Sequence, residues 1–254
     1  MGKIIAVVNQ KGGVGKTTTA VNLGAYLAKL GRQVLLVDVD PQANASSGLG
    51  VDHRRLEKGI YNALIGEKKI TDIVKRTLRN NYYVAPATVA LAGASIELIG
   101  LEDREFRLSK ILEEVRDEYD YIIIDGPPSL GLLTVNSLVA ADQVLIPIQS
   151  EYYALEGLSQ LLETIALIQN NLKPALRIMG AVITMYDRRN RLSELVKNEI
   201  HEYFPNRVFN TIIPRSVRLA EAPSYGRSIL QYEDHSAGAR AYEQLANEII
   251  NLEK

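Results

Sequence analysis

Short apolar runs alternate with amphipathic segments along most of this chain. Residues 4–8 are continuously apolar and rich in β-branched side chains, which predicts a strand buried on both faces. A glycine-rich turn follows, and apolar residues then recur at helical spacing over residues 17–30, with Gly31 as the expected stop. A second buried strand is predicted at residues 33–37. This order of strand, turn, helix and strand predicts parallel strands joined by a right-handed crossover.

The same alternation continues towards the C-terminus. Further strands are predicted at residues 121–124, 143–146 and 178–183, with a weak strand at 82–84 and a short edge strand at 208–209. Helices are predicted at residues 104–117, 131–140, 155–169, 193–203 and 236–251, and the more polar stretch 44–100 is expected to form short helices and loops. The pattern predicts an α/β fold, with a mostly parallel twisted sheet, helices on both faces and one domain over residues 1–254.

Composition narrows the classes of function. The net charge of -1 gives no overall signal for nucleic acid or membrane, so any basic surface must be local. The absence of cysteine excludes disulfides, thiol catalysis and cysteine-held metal clusters. No apolar run approaches the ~20 residues that a membrane span needs, and the N-terminus lacks the features of a signal peptide. We therefore expect a cytoplasmic protein that does not insert into membranes.

A phosphate-binding loop is predicted between the first strand and the first helix. Its glycines would let successive backbone N–H groups turn towards phosphates, and the helix N-terminus would add partial positive charge. Lys16 is expected to reach the β- and γ-phosphates, the Thr17 hydroxyl to bind Mg²⁺, and the Thr18 hydroxyl to contact the α-phosphate. The predicted loop residues are Gly12, Gly13, Val14, Gly15, Lys16, Thr17 and Thr18.

Three aspartates follow predicted strands. Asp38 and Asp40 come at the end of the second strand, where ligands bind in open α/β sheets, and their spacing of two puts them on one side of the chain. One can join the magnesium shell while the other orients the attacking water, and positioning water suits Asp40 because an ordinary Asp, with a pKa near ~3.9, is a weak base. A helix cap or solvated turn is the alternative. Asp125 ends four apolar residues in the Walker B form and is expected to bind Mg²⁺ through water.

Residues 11–18, KGGVGKTT, depart from the usual P-loop because Gln10 stands in place of its first glycine and Lys11 opens the motif. This loop resembles the signature of the ParA/MinD family of deviant Walker A ATPases. The resemblance implies a dimer that sandwiches two ATP molecules, with Lys11 of each subunit crossing to the phosphates of the other. Residues 38–42, 125–133, 151–157, 213–223 and 236–242 also resemble the chromosomal ParA proteins, often called Soj, although that family often has cysteine where Gly126 stands.

The resemblance implies that the ATP-bound dimer binds DNA without sequence preference, and that a ParB-type activator stimulates hydrolysis and release. Nucleoid association is then expected. Two basic clusters, residues 187–191 and Arg215, Arg218 and Arg227, could contact phosphates or form a solvated face. The resemblance favours DNA contact for Arg189 and Arg218. It also puts Met185, Pro214 and Arg215 near the adenine, for which ordinary packing is the alternative.

Four other functions compete with partitioning. A MinD-like membrane ATPase needs a basic amphipathic C-terminal helix, whereas Glu243, Glu248 and Glu253 make this one acidic, so a core-packed helix is expected. A reductase like the nitrogenase iron protein needs cysteines. A sequence-specific repressor needs an added helix-turn-helix domain, which the start of this sequence does not suggest. An ATPase that positions another cargo is opposed only by the arginine clusters and the overall resemblance.

Overall fold

The predicted alternation of strands and helices is present. The computed structural model describes residues 1–151 and 156–252. Within these ranges the strands are β1 (Lys3–Val7), β2 (Val34–Asp38), β3 (Lys75–Arg76), β4 (Tyr82–Ala85), β5 (Tyr121–Asp125), β6 (Gln143–Gln149), β7 (Arg177–Tyr186) and β8 (Val208–Pro214).

The helices lie between these strands or after the last of them. They are α1 (Lys16–Lys29), α2 (Asn44–Gly48), α3 (Ile60–Leu64), α4 (Ile70–Ile73), α5 (Leu91–Glu97), α6 (Arg107–Glu113), α7 (Leu132–Ala140), α8 (Glu156–Asn171), α9 (Arg191–Tyr203), α10 (Val217–Glu221), α11 (Ile229–Tyr232) and α12 (Ala237–Asn251). Short 3-10 helices cover His53–Arg55, Leu98–Gly100, Arg116–Glu118 and Ala222–Tyr225. The predicted start of a helix at Leu155 lies outside the described residues, as do the resemblance at residues 152–155 and the charge of Glu253.

One sheet joins the strands in the order β3-β4-β2-β5-β1-β6-β7-β8. Neighbouring strands are parallel, except that β3 pairs antiparallel with β4. The mostly parallel sheet predicted from the sequence is thus confirmed. Because β1 lies between β5 and β6, the strand order reverses at β1, and ligands bind such sheets at the crevice beyond this point.

Helices cover both faces of the sheet, and alternate residues of β1 point into two separate cores. Ile4 and Ala6 pack in the core that includes α3 to α9, whereas Ile5 and Val7 pack in the core that includes α1 and α12. This two-sided burial explains why the strand reads as a continuous apolar run. Because helices cover both faces of the sheet, a ligand can reach it only at the two edges formed by the ends of the strands.

Helix α1 ends as predicted at Gly31. The Gly31 backbone has φ of +85°, and the next amide, that of Arg32, donates to the carbonyl oxygen of Leu27. This left-handed C-terminal turn satisfies carbonyl groups that the helix leaves unpaired, and glycine adopts it without steric cost.

Three details differ from the prediction. Strand β8 runs for seven residues rather than two, because β7 beside it is also long. Helix α6 covers only the centre of the predicted helix 104–117, since tighter turns through Val115 end in the 3-10 helix Arg116–Glu118. The two-residue strand β3, in the polar region, carried no apolar signal.

Within the described ranges, no helix is both long enough and apolar enough to cross a lipid bilayer.

Candidate functional site at the carboxyl edge of the sheet

The glycine-rich loop joins β1 directly to α1 at the reversal point of the sheet. Gly13 and Gly15 have φ of +74° and +91°, a left-handed conformation that favours glycine. The Gly15 carbonyl accepts the Thr19 amide as α1 begins. The first N–H groups of α1 therefore open onto the loop, as an anion-binding helix N-terminus requires.

Two buried side chains that the sequence analysis did not identify hold this loop in shape. Asn9 donates from Nδ2 to the Pro147 carbonyl oxygen at 2.7 Å and accepts the Lys11 amide on Oδ1 at 3.0 Å. Thr184, on β7, donates its hydroxyl to the Val14 carbonyl oxygen at 2.7 Å. The loop is therefore tied to β6 and β7, which are remote in sequence. Only the position of Asn9, directly after a buried strand, gave a local signal.

The structure brings the two lysines of the loop together. Lys16 is only 6% exposed, and its Nζ donates to the Lys11 carbonyl oxygen at 2.9 Å. Burial lowers the pKa of Lys16, while the negative charges of Asp125 and Asp40 oppose this shift. The ammonium group thus lies across the mouth of the loop, where a phosphate would replace the carbonyl contact. Lys11 itself is half-buried.

Asp125 and Thr17 form the part of the site that fits a divalent cation. The Thr17 hydroxyl donates to Asp125 Oδ2 at 2.8 Å, and Asp125 is fully buried. Its other oxygen, Oδ1, has no hydrogen-bond partner among the described residues. Burial, followed by the negative charge of Asp38, raises the pKa of Asp125 well above its usual range. A bound cation would satisfy the unpaired oxygen and stabilise the ionised carboxylate.

Asp38 lies in the same row of the sheet as Asp125, but its carboxylate is held differently. Ser46 donates both its amide, at 2.8 Å, and its hydroxyl, at 2.7 Å, to Asp38 Oδ2. The Asp40 amide donates to Oδ1 at 3.2 Å. Burial raises the pKa of Asp38 to about 6 despite these donors. Asp38 therefore anchors α2, through Ser46, and its predicted place in the magnesium shell stays a prediction.

Asp40 lies in the turn between β2 and α2 and is 6% exposed. Its Oδ1 accepts the Gln42 amide at 2.9 Å, and its carbonyl oxygen accepts the Ala43 amide. Ala43 has a positive φ of 53°, unusual for a residue other than glycine. The turn thus presents Asp40 on the same side as Lys16 and Asp125. Its role in orienting the attacking water stays a prediction.

Among the described residues, no group of three or more histidines and acids could hold a metal without help. Magnesium often binds through one or two carboxylates together with water and phosphate oxygens.

The three residues predicted to lie near adenine meet where β7 and β8 end. Tyr186 pairs with Pro214 across the two strands, and the Arg215 amide donates to the Tyr186 carbonyl oxygen. Met185 has φ of +51°, and such strained backbone is often found at binding sites. Pro214 and Arg215 line a cleft of about 780 Å³. The structure thus groups these residues but leaves their contact with a base as a prediction.

The two arginines predicted to bind DNA lie on neighbouring connections at this edge of the sheet. Arg189, which is 89% exposed, pairs with Asp187 through Nε at 3.0 Å and Nη2 at 2.9 Å. Arg218, which is 55% exposed, pairs with Glu221 at 3.0 Å. Each arginine is therefore accessible but already has an acidic neighbour.

The predicted core-packed C-terminal helix is confirmed. Tyr242, Leu245, Ala246 and Ile249 of α12 are at most 1% exposed, and the Tyr242 hydroxyl is 3.2 Å from that of Thr19 on α1. The apolar face of α12 is covered by the protein itself and is not available to lipid.

The fold and the site together define a P-loop nucleoside triphosphatase of the deviant Walker A type. Residues 2–178 match the protein-family model described as an AAA domain. The chain is 55% identical over 249 residues to the sporulation initiation inhibitor protein Soj of Bacillus subtilis (strain 168), with 98% of each chain covered. It is 53% identical over 252 residues to the chromosome-partitioning ATPase Soj of Treponema pallidum (strain Nichols), again with 98% of each covered. The chain therefore belongs to the ParA/MinD family, among the chromosomal ParA proteins that include Soj.

Solved structures share the whole fold. Cobyrinic acid a,c-diamide synthase from Mycobacterium smegmatis, crystallised with an ATP analogue and magnesium, matches with a TM-score of 0.88 and 36% identity. The match covers 99% of this chain and 95% of that one. Because the name of that enzyme describes a different reaction, the fold alone does not decide the function.

Proposed function

We propose that this protein is a partitioning ATPase for chromosomes or plasmids, with residues 1–254 acting as one domain. It hydrolyses Mg-ATP to ADP and phosphate, and it acts in the cytoplasm at the nucleoid. The observation that carries the proposal is the loop after β1, in which Lys16 and the Thr17–Asp125 pair converge beside the N-terminus of α1. The names of the relatives support the choice of partitioning, since two similar proteins are called Soj and one of them a chromosome-partitioning ATPase.

Each residue of the site has a role in this proposal. Backbone N–H groups of residues 12–18 hold the phosphates, and Lys16 exchanges its contact with the Lys11 carbonyl for the β- and γ-phosphate oxygens. Thr17, Asp125 and Asp38 would hold Mg²⁺, which neutralises the charge that develops on the leaving phosphates. Asp40 orients the attacking water. The described residues of the site include no strong base, so hydrolysis by the protein alone is slow and a ParB-type activator completes the site.

Lys11 acts between subunits in this proposal. The backbone carbonyl of Lys11 accepts a hydrogen bond from Lys16 of the same loop. No described residue makes an ion pair with the Lys11 side chain. Because Lys16 already supplies the local positive charge, Lys11 is free to reach the phosphates of a partner copy. The dimer would therefore form only when ATP occupies both loops.

Exposure and modest ion-pair strength support Arg189 and Arg218 as contacts for DNA. Water screens exposed ion pairs and keeps them weak, so a DNA phosphate can compete with Asp187 or Glu221 for these arginines. Phosphate contact has no sequence preference and weakens with salt. A dimer presents two copies of each arginine, which strengthens binding by avidity.

The proposal is tested by ATP binding and by retention on random-sequence DNA with ATP or ADP. The wild type should be retained on DNA with ATP only. Lys16→Ala should lose both nucleotide binding and DNA retention, because the ATP phosphates would lack the buried ammonium group of Lys16. Lys58→Ala, which removes an exposed lysine, is the matched control and should behave as wild type. Normal ATPase activity in Lys16→Ala, or retention with ADP, would contradict the proposal.

A further inference from the structure

Four arginines from three parts of the chain line one cleft beside the carboxyl ends of β7 and β8. Arg188 and Arg189 come from the turn after β7, Arg215 follows β8, and Arg240 lies on α12. The cleft has a volume of about 780 Å³. Nothing in the sequence pattern linked Arg240 to the other three, because α12 is the last helix of the chain.

The charges in this arginine cleft are only partly compensated. Asp187 pairs with Arg189, and Glu151 pairs with Arg215 at 3.2 Å. Among the described residues, neither Arg188 nor Arg240 makes an ion pair with a carboxylate. The Arg240 guanidinium is oriented by a bond from Nη1 to the His235 carbonyl oxygen at 2.5 Å, which leaves most of its donors available. The cleft therefore carries net positive charge and attracts anions.

The rest of the lining matches a sugar–phosphate backbone. Ile212, Pro214 and Val217 provide apolar surface between the arginines. Tyr186 is the aromatic residue of the lining, and its hydroxyl donates to Glu194. A single aromatic ring does not make a stacking platform for successive bases. The arginines could contact phosphates, and the apolar surface between them could contact sugars.

Arg218 is next in sequence to a residue of the cleft. Val217 lines the cleft and begins α10, and Arg218 is the next residue. Arg189, which the proposed function assigns to DNA, thus lines the cleft itself, and Arg218 directly follows a residue of its lining.

We propose that the arginine cleft receives the DNA backbone, with Arg240 and Arg188 as phosphate contacts beside Arg189 and Arg218. This inference rests on the proposed DNA binding and extends the contact surface to α12. Adenine is the competing occupant, because the family resemblance puts Pro214 and Arg215 near it. An uncharged adenine base has no negative charge to pair with four guanidinium groups. The DNA backbone carries one negative charge for each nucleotide and can pair with them.

The test is Arg240→Ala, measured by ATP-dependent retention on random-sequence DNA over a range of salt concentrations. Retention should weaken, and the slope of log affinity against log salt should fall in magnitude by about 0.9 for each DNA phosphate that the variant no longer neutralises. Arg240→Lys, which keeps the charge, should retain most of the binding. The affinity for a fluorescent ATP analogue should not change, and a thermal melt checks that the variant is folded.

Arg207→Ala is the matched control, because Arg207 is exposed and lies just before β8, at the opposite edge of the sheet. If Arg189→Ala loses DNA while Arg240→Ala matches Arg207→Ala, the inference is wrong and the proposed function stands. If the wild type is not retained, the proposed function itself fails. A lower ATP affinity in Arg240→Ala with unchanged DNA retention would assign the cleft to the nucleotide and overturn the inference.

Discussion

At the scale of single residues, the phosphate loop depends on side chains outside its motif. Thr184 is 2% exposed and Asn9 is 4% exposed, and each satisfies backbone groups of the loop. A buried carbonyl or amide without a partner costs about 1–3 kcal/mol, so these bonds select one shape of the loop. The glycines permit the conformation, and the two side chains hold it.

We predict that Thr184→Val weakens ATP binding. The substitution conserves volume but leaves the Val14 carbonyl, buried in the loop, without its hydrogen bond. If the lost hydrogen bond weakens the free energy of ATP binding by roughly 1.4 kcal/mol, the Kd for ATP rises about tenfold. Titration with a fluorescent ATP analogue measures this effect.

Thr184→Ser is the control, since it keeps the hydroxyl and should restore affinity. Wild-type affinity in Thr184→Val together with a lower melting temperature would show that the bond supports the fold rather than the loop.

At the scale of elements, α12 is packed as a core helix and not as a lipid-binding helix. Its apolar side lies against α1 and β8, and its acidic residues bond to the protein, with Glu243 on Lys29 and Glu248 on Thr211. A helix that bound anionic lipid would expose its apolar side and carry basic residues beside it. The packing of α12 therefore favours a role in the core.

We predict that Leu245→Ala lowers the free energy of unfolding by about 2–5 kcal/mol, because it creates a cavity at a fully buried position. Thermal or denaturant unfolding measures this change. Asn247→Ala, on the exposed side of α12, should change stability by no more than about 0.5 kcal/mol. ATP-dependent sedimentation of the wild type with anionic vesicles would contradict the assignment of α12 to the core.

At the scale of the whole molecule, the two lysines of the loop suggest different roles in a dimer. Lys16 would act on the nucleotide of its own chain, and Lys11 on the nucleotide of a partner copy. Lys16 completes its own loop, whereas Lys11 has no ion pair among the residues that the structure describes. Asp40 is buried beside Lys16 and would act after the dimer has formed. Removing Lys11 or Asp40 should therefore interrupt the cycle at different steps.

We predict that Lys11→Ala binds ATP but stays monomeric, and that Asp40→Ala forms the ATP-dependent dimer without turning ATP over. Analytical ultracentrifugation with ATP measures the mass, and phosphate release measures turnover. EDTA should abolish turnover in the wild type by removing magnesium. An ATP-dependent dimer of Lys11→Ala would exclude its role between subunits, and a monomeric Asp40→Ala would give Asp40 a structural role.

The sequence by itself determined the elements that local pattern controls. Continuous apolar runs predicted the buried strands of a parallel sheet, and Gly31 predicted the end of α1. The glycine-rich loop, together with aspartates that end strands, predicted which residues gather at one edge. These inferences succeeded because strand burial, turn conformation and the common edge of parallel strands all follow from short stretches of chain.

Only the tertiary structure decided which groups touch. The bonds of Thr184 to the loop and of Ser46 to Asp38 join residues with no pattern in common. Arg240 and Arg189 line one cleft although they are far apart in the sequence. The structure also distinguished Asp38, held by three donors, from Asp125, which keeps a buried oxygen free of hydrogen bonds within the described chain. Sequence spacing could not show this, because packing between distant segments fixes the partner of each buried polar group.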